Sequence, residues 1–297
     1  MNEAPANWRV KLARELSARA KMTAAEAINF DLNRGVAARR VGITGPPGAG
    51  KSTLIAHLVE QWITAGLKVG VLAIDPTSPF SGGSLLGDRV RMDHLSGTEK
   101  AFIRSIPSKS SMDGLCPNIM PLLAAFDEAG FDEVILETVG IGQVSYDARH
   151  LVDTFVLVLV PESGDTIQAM KAGIIETADI CVVNKADRPG AEKLISELRS
   201  IAKWRAKRGD WSPPVLAVTA TDGSGVGELA RAIVAHRAHS SSTERQKSVE
   251  RSRRNFHLKS TVQRQLDEII EGFPEEDSID GSQLYRRISS ELASPRR

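Results

Sequence analysis

The sequence predicts an α/β fold: a mostly parallel, doubly wound sheet with helices on both faces. Three observations predict it. Seven short apolar or β-branched runs recur along the chain, most of them continuous rather than alternating, as in strands buried on both faces. Segments with helical spacing separate several of these runs, and alternating strands and helices build parallel sheets. The first run leads through a glycine-rich loop straight into a helical segment.

Taken in order, residues 8–32 have helix-compatible spacing (Leu12, Leu16, Ala20, Ala27, Ile28) and are expected to pack outside the sheet, within an N-terminal helical extension over 1–38. Strands are expected at 40–44, 69–75, 101–105, 133–138, 154–160, 180–184 and 215–220, and helices at 51–65, 119–129, 166–177 and 191–208. They make up a main domain over 39–238. Ser240-Ser241-Ser242-Thr243 and the charged stretch 244–254 read as a linker or domain edge. Beyond it, Leu258, Val262, Leu266, Ile269 and Ile270 recur at helical spacing, and Leu284, Ile288 and Leu292 form a second stripe past a turn at 272–274. Residues 239–297 are therefore expected to carry two amphipathic C-terminal helices. Arg251, Arg253 and Arg254 could bind phosphate, but a solvated helix face is the weightier reading.

Composition narrows the function classes. The 297 residues are 41% hydrophobic and 25% charged, with a net charge of +1, so bulk charge points to neither nucleic acid nor a membrane surface. No run reaches the length of a membrane-spanning helix. Residues 1–9 contain no apolar stretch of signal-peptide type, so a cytoplasmic location is expected. Cys116 and Cys181, the two cysteines, lie far apart without metal-ligand spacing, and a reducing compartment fits them. Cys181 reads as core filling and Cys116 as inert.

The glycine-rich loop has a specific form. Gly45-Pro46-Pro47-Gly48-Ala49-Gly50-Lys51-Ser52 matches G-x-x-x-x-G-K-[ST], with Thr53 directly behind it. Its glycines let the backbone curl so that N–H groups converge on phosphate oxygens. The helix N-terminus adds its dipole, Lys51 can reach the β- and γ-phosphates, and the Ser52 hydroxyl can bind Mg²⁺. An ordinary glycine-rich turn is the competing reading, and the flanking strand and helix disfavour it.

Asn184-Lys185-Ala186-Asp187 closes a later apolar run. N-K-x-D selects guanine for a geometric reason: guanine presents N1–H and N2–H₂ side by side, and one carboxylate, Asp187, accepts both. Adenine offers a lone pair at N1 and is repelled. Lys185 can lay its stem on the base. Thr219-Ala220-Thr221 ends another run and weakly resembles an element whose backbone N–H reads the guanine O6. Acidic residues stand near strand ends or in glycine-rich loops: Asp75, Asp88, Glu137 and Asp165. Ligands gather at the carboxyl ends of parallel strands, so Ser52, Asp75, Asp88 and Glu137 form a candidate Mg²⁺ set. The Gly140 amide is placed to sense a γ-phosphate. For each acid, solvated loop capping is the alternative.

The strings GITGPPGAGKSTLI, VLAIDPTSPFSGGSLLGDRVRM, ILETVGIGQ and NKAD closely resemble the G3E P-loop GTPases of the MeaB/ArgK/MMAA type, over residues 8–236. The resemblance implies a P-loop NTPase fold that binds GTP or GDP with Mg²⁺. It implies slow GTP hydrolysis, and a chaperone role toward an adenosylcobalamin-dependent acyl-CoA mutase, gating cofactor loading, protection and reactivation. It also implies a homodimer through a C-terminal helical arm, with no cobalamin held tightly by the chain itself and neither nucleic acid nor membrane as partner. Asp88 and Glu137 would join Lys51 in catalysis, and Lys171, in the loop 161–173, would swing in to stabilise phosphoryl-transfer charge. Departures from the family pattern fall at Arg89, Gln143-Val144-Ser145, 162–167 and 108–114. They sit in stretches expected to touch switches or partner, which points to a sister mutase, such as one for isobutyryl- or 2-hydroxyisobutyryl-CoA, rather than methylmalonyl-CoA mutase. Three rivals stand beside this reading. An ATP-dependent kinase linked to amino-acid transport is opposed by Asp187. A metal-insertion GTPase is opposed by six scattered histidines and no cysteine pair. A nucleotide-sensing module without hydrolysis is open to assay.

Overall fold

The apolar runs become seven strands among the described residues: β1 (Arg39–Thr44), β2 (Val69–Pro76), β3 (Ala101–Ser108), β4 (Glu133–Thr138), β5 (Thr154–Leu159), β6 (Ile180–Asn184) and β7 (Val215–Val218). They form one sheet in the order β3-β2-β4-β1-β5-β6-β7, every neighbouring pair parallel. This computed structural model describes residues 7–31, 38–76, 95, 98–108, 115–116, 118–138, 147–161, 173–206, 211–241, 243–272 and 281–293.

The helices are α1 (Asn7–Arg19), α2 (Ala24–Ile28), α3 (Lys51–Thr64), α4 (Ile119–Glu128), α5 (Ile174–Thr177), α6 (Ala191–Ala206), α7 (Val226–Ser240), α8 (Thr243–Glu271) and α9 (Gly281–Ala293). Successive side chains of a strand point to opposite faces, and both faces are covered, so the strands read as unbroken apolar runs. Val41 and Ile43 of β1 and Val156 and Val158 of β5 meet Leu54, Leu58 and Trp62 of α3 and Leu229 and Ile233 of α7. Phe155, Leu157 and Leu159 join Leu12 and Leu16 of α1, Leu122 and Phe126 of α4 and Leu194 and Leu198 of α6 on the other face. Burial pushes the Cys116 thiol up to about 12, so it is no nucleophile at neutral pH; Cys181 is buried in the same layer.

The ends of the chain differ from the expectation in two places. Residues 7–28 carry two helices, because Thr23 caps a new start: its hydroxyl accepts the Glu26 N–H at 3.2 Å, and Glu26 accepts the Thr23 N–H at 2.8 Å. The stretch 244–254, expected as a linker or domain edge, is helical. Helix α7 runs to Ser240 and α8 begins at Thr243. The charges that read as a solvated segment are partly used for docking. Arg253 donates to Asp153 at 2.7 Å and to the Leu151 carbonyl at 3.1 Å, so it is neither a phosphate ligand nor a free surface charge. Further along α8, His257 lies 2.9 Å from the Ala27 carbonyl and Arg264 donates to Asn118 at 2.7 Å.

Candidate phosphate and base site

Parallel strands deliver their carboxyl ends to one edge of the sheet, and the sequence-predicted site collects there. Loop 45–50 leaves β1 and opens α3. Two of its glycines are required by geometry. A side chain on Gly45 would begin 2.1 Å from the Val158 carbonyl oxygen. Gly50 has φ +83° and would carry its Cβ 2.4 Å from Asn184 Nδ2. Gly50 is also the N-cap of α3, so the positive end of the helix dipole faces the loop, where an anion is favoured.

Lys51 and Ser52 open α3 and are buried, 6% and 5% exposed. Lys51 Nζ donates to the carbonyls of Gly45 at 2.9 Å and Pro46 at 3.1 Å. The ammonium thus spans the loop from which it would meet phosphate. Ser52 Oγ donates to Glu137 Oε1 at 3.1 Å, and Glu137 is buried at 2% exposure on β4, where it stands in register with Ile43 of β1. A hydroxyl and a carboxylate brought together beside a phosphate loop are hard oxygen donors of the type Mg²⁺ takes, so the residues present fit that ion. Asp75 ends β2 opposite Pro107, on the same edge; its side chain, with Asp88, Gly140, Asp165 and Lys171, lies outside the described residues.

The base motif stands at the end of β6. Lys185 adopts φ 56°, a left-handed conformation uncommon for a residue with a side chain. It turns the chain so that Asp187 is exposed at the loop tip, and Ala186 N–H holds the turn by donating to the Val218 carbonyl at 3.0 Å. Asn184 is 2% exposed and points inward. Its Nδ2 donates to the Ala49 carbonyl at 2.7 Å, and its Oδ1 accepts the Ala220 N–H at 3.0 Å. One amide therefore ties the phosphate loop to the turn after β7. Thr219 and Thr221 flank Ala220 in that turn, and Thr219 pairs with Ser224 in an antiparallel bridge, which is why β7 stops at Val218. Sequence reading placed Asn184 in the base motif but not as a bridge, because spacing does not show which carbonyl a side chain reaches.

A second concavity lies at the opposite edge of the sheet, about 640 Å³ in volume, lined by residues that include Arg39, Arg149, Arg237 and Arg253. Each guanidinium is matched by a carboxylate: Arg39 and Arg237 by Glu133, Arg149 by Asp179, Arg253 by Asp153. Burial raises the Asp179 carboxyl, yet hydrogen bonding from His236 and the charge of Arg149 outweigh it and hold the group below the usual range. This is an ion-paired network, Glu133 serving two of the guanidiniums, and through Arg237 and Arg253 it fastens α7 and α8 to the sheet.

Comparison with known proteins bears on this arrangement. A family model described as Methylmalonyl Co-A mutase-associated GTPase MeaB matches residues 10–274. A putative GTPase of Pyrococcus abyssi (strain GE5 / Orsay) is 43% identical over 86% of this chain and 79% of its own length. A methylmalonic aciduria type A homolog, mitochondrial, of Mus musculus is 40% identical over 64% of this chain and 47% of its own length. In several further prokaryotic relatives the match spans 60 to 63% of their length. Among solved structures, one described as an LAO/AO transport system kinase superposes with a TM-score of 0.57 over 99% of both chains at 22% identity, a likeness of fold.

Proposed function

The chain belongs to the MeaB family of mutase-associated GTPases, and from that membership we propose that it is a GTP-driven switch serving an adenosylcobalamin-dependent acyl-CoA mutase. The observation that carries the nucleotide half of this reading is the bridge through Asn184, which joins the Lys51 loop and the turn at Ala220 into one site. Lys51 and the N-terminal end of α3 hold the phosphates, while Asp187 accepts the two guanine donors. Ser52 and Glu137 would hold Mg²⁺, which would supply charge neutralisation at the phosphates. Catalysis of this kind is positioning and charge stabilisation, and the residues described supply no side chain evidently poised to polarise the attacking water. Hydrolysis is therefore slow until a partner binds; Lys171 would then swing in to stabilise phosphoryl-transfer charge, with Asp88 in catalysis and Asp75 and Asp88 in the metal and switch machinery. The mutase link rests on the family and the relatives' names. The departures at Arg89 and in the loops after β3, β4 and β5 favour a sister of methylmalonyl-CoA mutase as the partner.

Phosphate release should be measured with and without a panel of acyl-CoA mutases. The isolated chain should turn over far below the enzyme median of about 10 s⁻¹, one mutase should accelerate it, and Glu137→Ala should remove the accelerated rate. A fast isolated chain, or one that exchanges GTP for ATP at equal concentration, would defeat the reading. Stimulation by methylmalonyl-CoA mutase alone would defeat only the choice of a sister.

A further inference from the structure

The turn after β7 is held from two sides. Asn184 takes the Ala220 N–H on one side. Within the turn, Thr219 N–H donates to the Ser224 carbonyl at 3.0 Å, and Asp222 Oδ1 accepts the Ser224 N–H at 2.8 Å. On the other side His57 of α3 lies beside Gly223 of the turn. A methyl group built on Gly223, whose φ is +78°, would lie 3.5 Å from His57 Nδ1 and 3.7 Å from Cε1. His57 Nδ1 is itself 3.3 Å from Glu60 Oε2. The ring therefore lies between Glu60 on its own helix and Gly223 in the turn. The Asp222 carboxyl lies below the usual carboxylate range, first through the Ser224 backbone N–H and in part through the charge of His57.

We propose that His57 is a positioning residue for guanine recognition, bracing the turn 219–225 against the phosphate-binding helix so that the turn's backbone amides meet the 6-oxo group of the base. It rests on the guanine reading above. The physical argument is one of direction. Thr221, Asp222 and Ser224 are exposed, so the tip has little packing of its own, and an amide hydrogen bond weakens steeply as its angle opens. Asn184 fixes Ala220 from the base-motif side; among the described residues, the side chain beside Gly223 is His57 of α3. Because α3 also begins with Lys51 and Ser52, the brace sets the base-reading turn at a fixed distance from the phosphates.

The test uses nucleotides that separate the base contacts. 6-Thioguanosine diphosphate weakens the acceptor at position 6, and inosine diphosphate lacks the 2-amino group that Asp187 accepts. Competition binding should show the wild-type chain preferring GDP over the 6-thio analogue by about 3- to 10-fold, the worth of one hydrogen bond. In His57→Ala that preference should fall toward unity, while the preference over inosine diphosphate stays. KM for GTP should rise by a similar factor with kcat at saturation unchanged within about twofold. His57→Gln, which keeps bulk and a donor, should recover part of the preference. A folded His57→Ala protein that keeps its GDP to 6-thio-GDP ratio overturns the proposal, as does equal loss of all three nucleotides. If thermal melting shows the alanine variant unfolded, His57→Leu is read in its place, with the same loss expected and the same retention overturning the proposal. A wild-type chain that does not prefer GDP over ADP would instead remove the guanine reading itself.

Discussion

Asp187 shows how much one side chain can decide. It stands exposed at the tip of a turn that Lys185 makes in a left-handed conformation. A carboxylate there complements the N1–H and N2–H₂ donors of guanine. Asp187→Asn replaces one acceptor by a donor, and the matching base is then xanthine, with N1–H beside a C2 carbonyl. GDP affinity should fall by about 10- to 100-fold and xanthosine diphosphate should become the better ligand, as equilibrium binding of the two would show. Retained GDP preference would mean that Asp187 does not touch the base.

At the scale of elements, α8 is the least expected. It is 29 residues long, about 43 Å at helical rise, and its mean composition is polar. Its docking is a set of discrete polar contacts: Arg253 on Asp153, His257 on the Ala27 carbonyl, Arg264 on Asn118, and His150 of the body 2.7 Å from Ser252, with its ring against Phe256. Burial holds both histidines below their ordinary value, His150 also through Arg149 and Lys259, and His257 also through Arg264 against a favourable bond to Ala27. Groups whose pKa is lowered on docking are neutral in the docked state and take up protons when released. Their contribution is therefore complete above the ordinary value of 6.5 and is lost as pH falls from there toward the lowered docked values. Hydrogen exchange should show α8 amides opening more at pH 5.5 than at pH 7.5, while those of β1 and β5 stay protected. Equal protection of α8 at the two pH values would rule the histidines out as contributors.

At the scale of the molecule, an exposed apolar stripe remains on the C-terminal helices. Leu258, Val262 and Ile270 of α8 are 42 to 45% exposed, and Tyr285 of α9 is 73% exposed. Helix faces of this kind are commonly covered by a second chain, which is the homodimer proposed from the family resemblance. Val262→Asp should shift the protein from dimer to monomer in sedimentation without changing intrinsic nucleotide affinity. A wild-type chain that sediments as a monomer at micromolar concentration would end that proposal.

Strand positions, the phosphate loop and the base motif were legible in the chain because each is a local pattern. Continuous β-branched runs follow from burial on both faces, a glycine-rich turn follows from the curl around phosphate, and a carboxylate after a strand follows from the donors of guanine. Strand order was not legible. Nor was the continuation of helix through 244–254, whose charges read as solvated until Arg253 met Asp153 across 100 residues. The bridge through Asn184 joins residues 135 positions apart, and the brace through His57 reaches a turn at Gly223. The sequence by itself determined which chemistry the protein carries, since that depends on residue type and neighbouring spacing. Only the tertiary structure decided how phosphate loop, base turn and C-terminal helix hold one another, since contacts between distant segments follow from packing, for which no spacing rule exists.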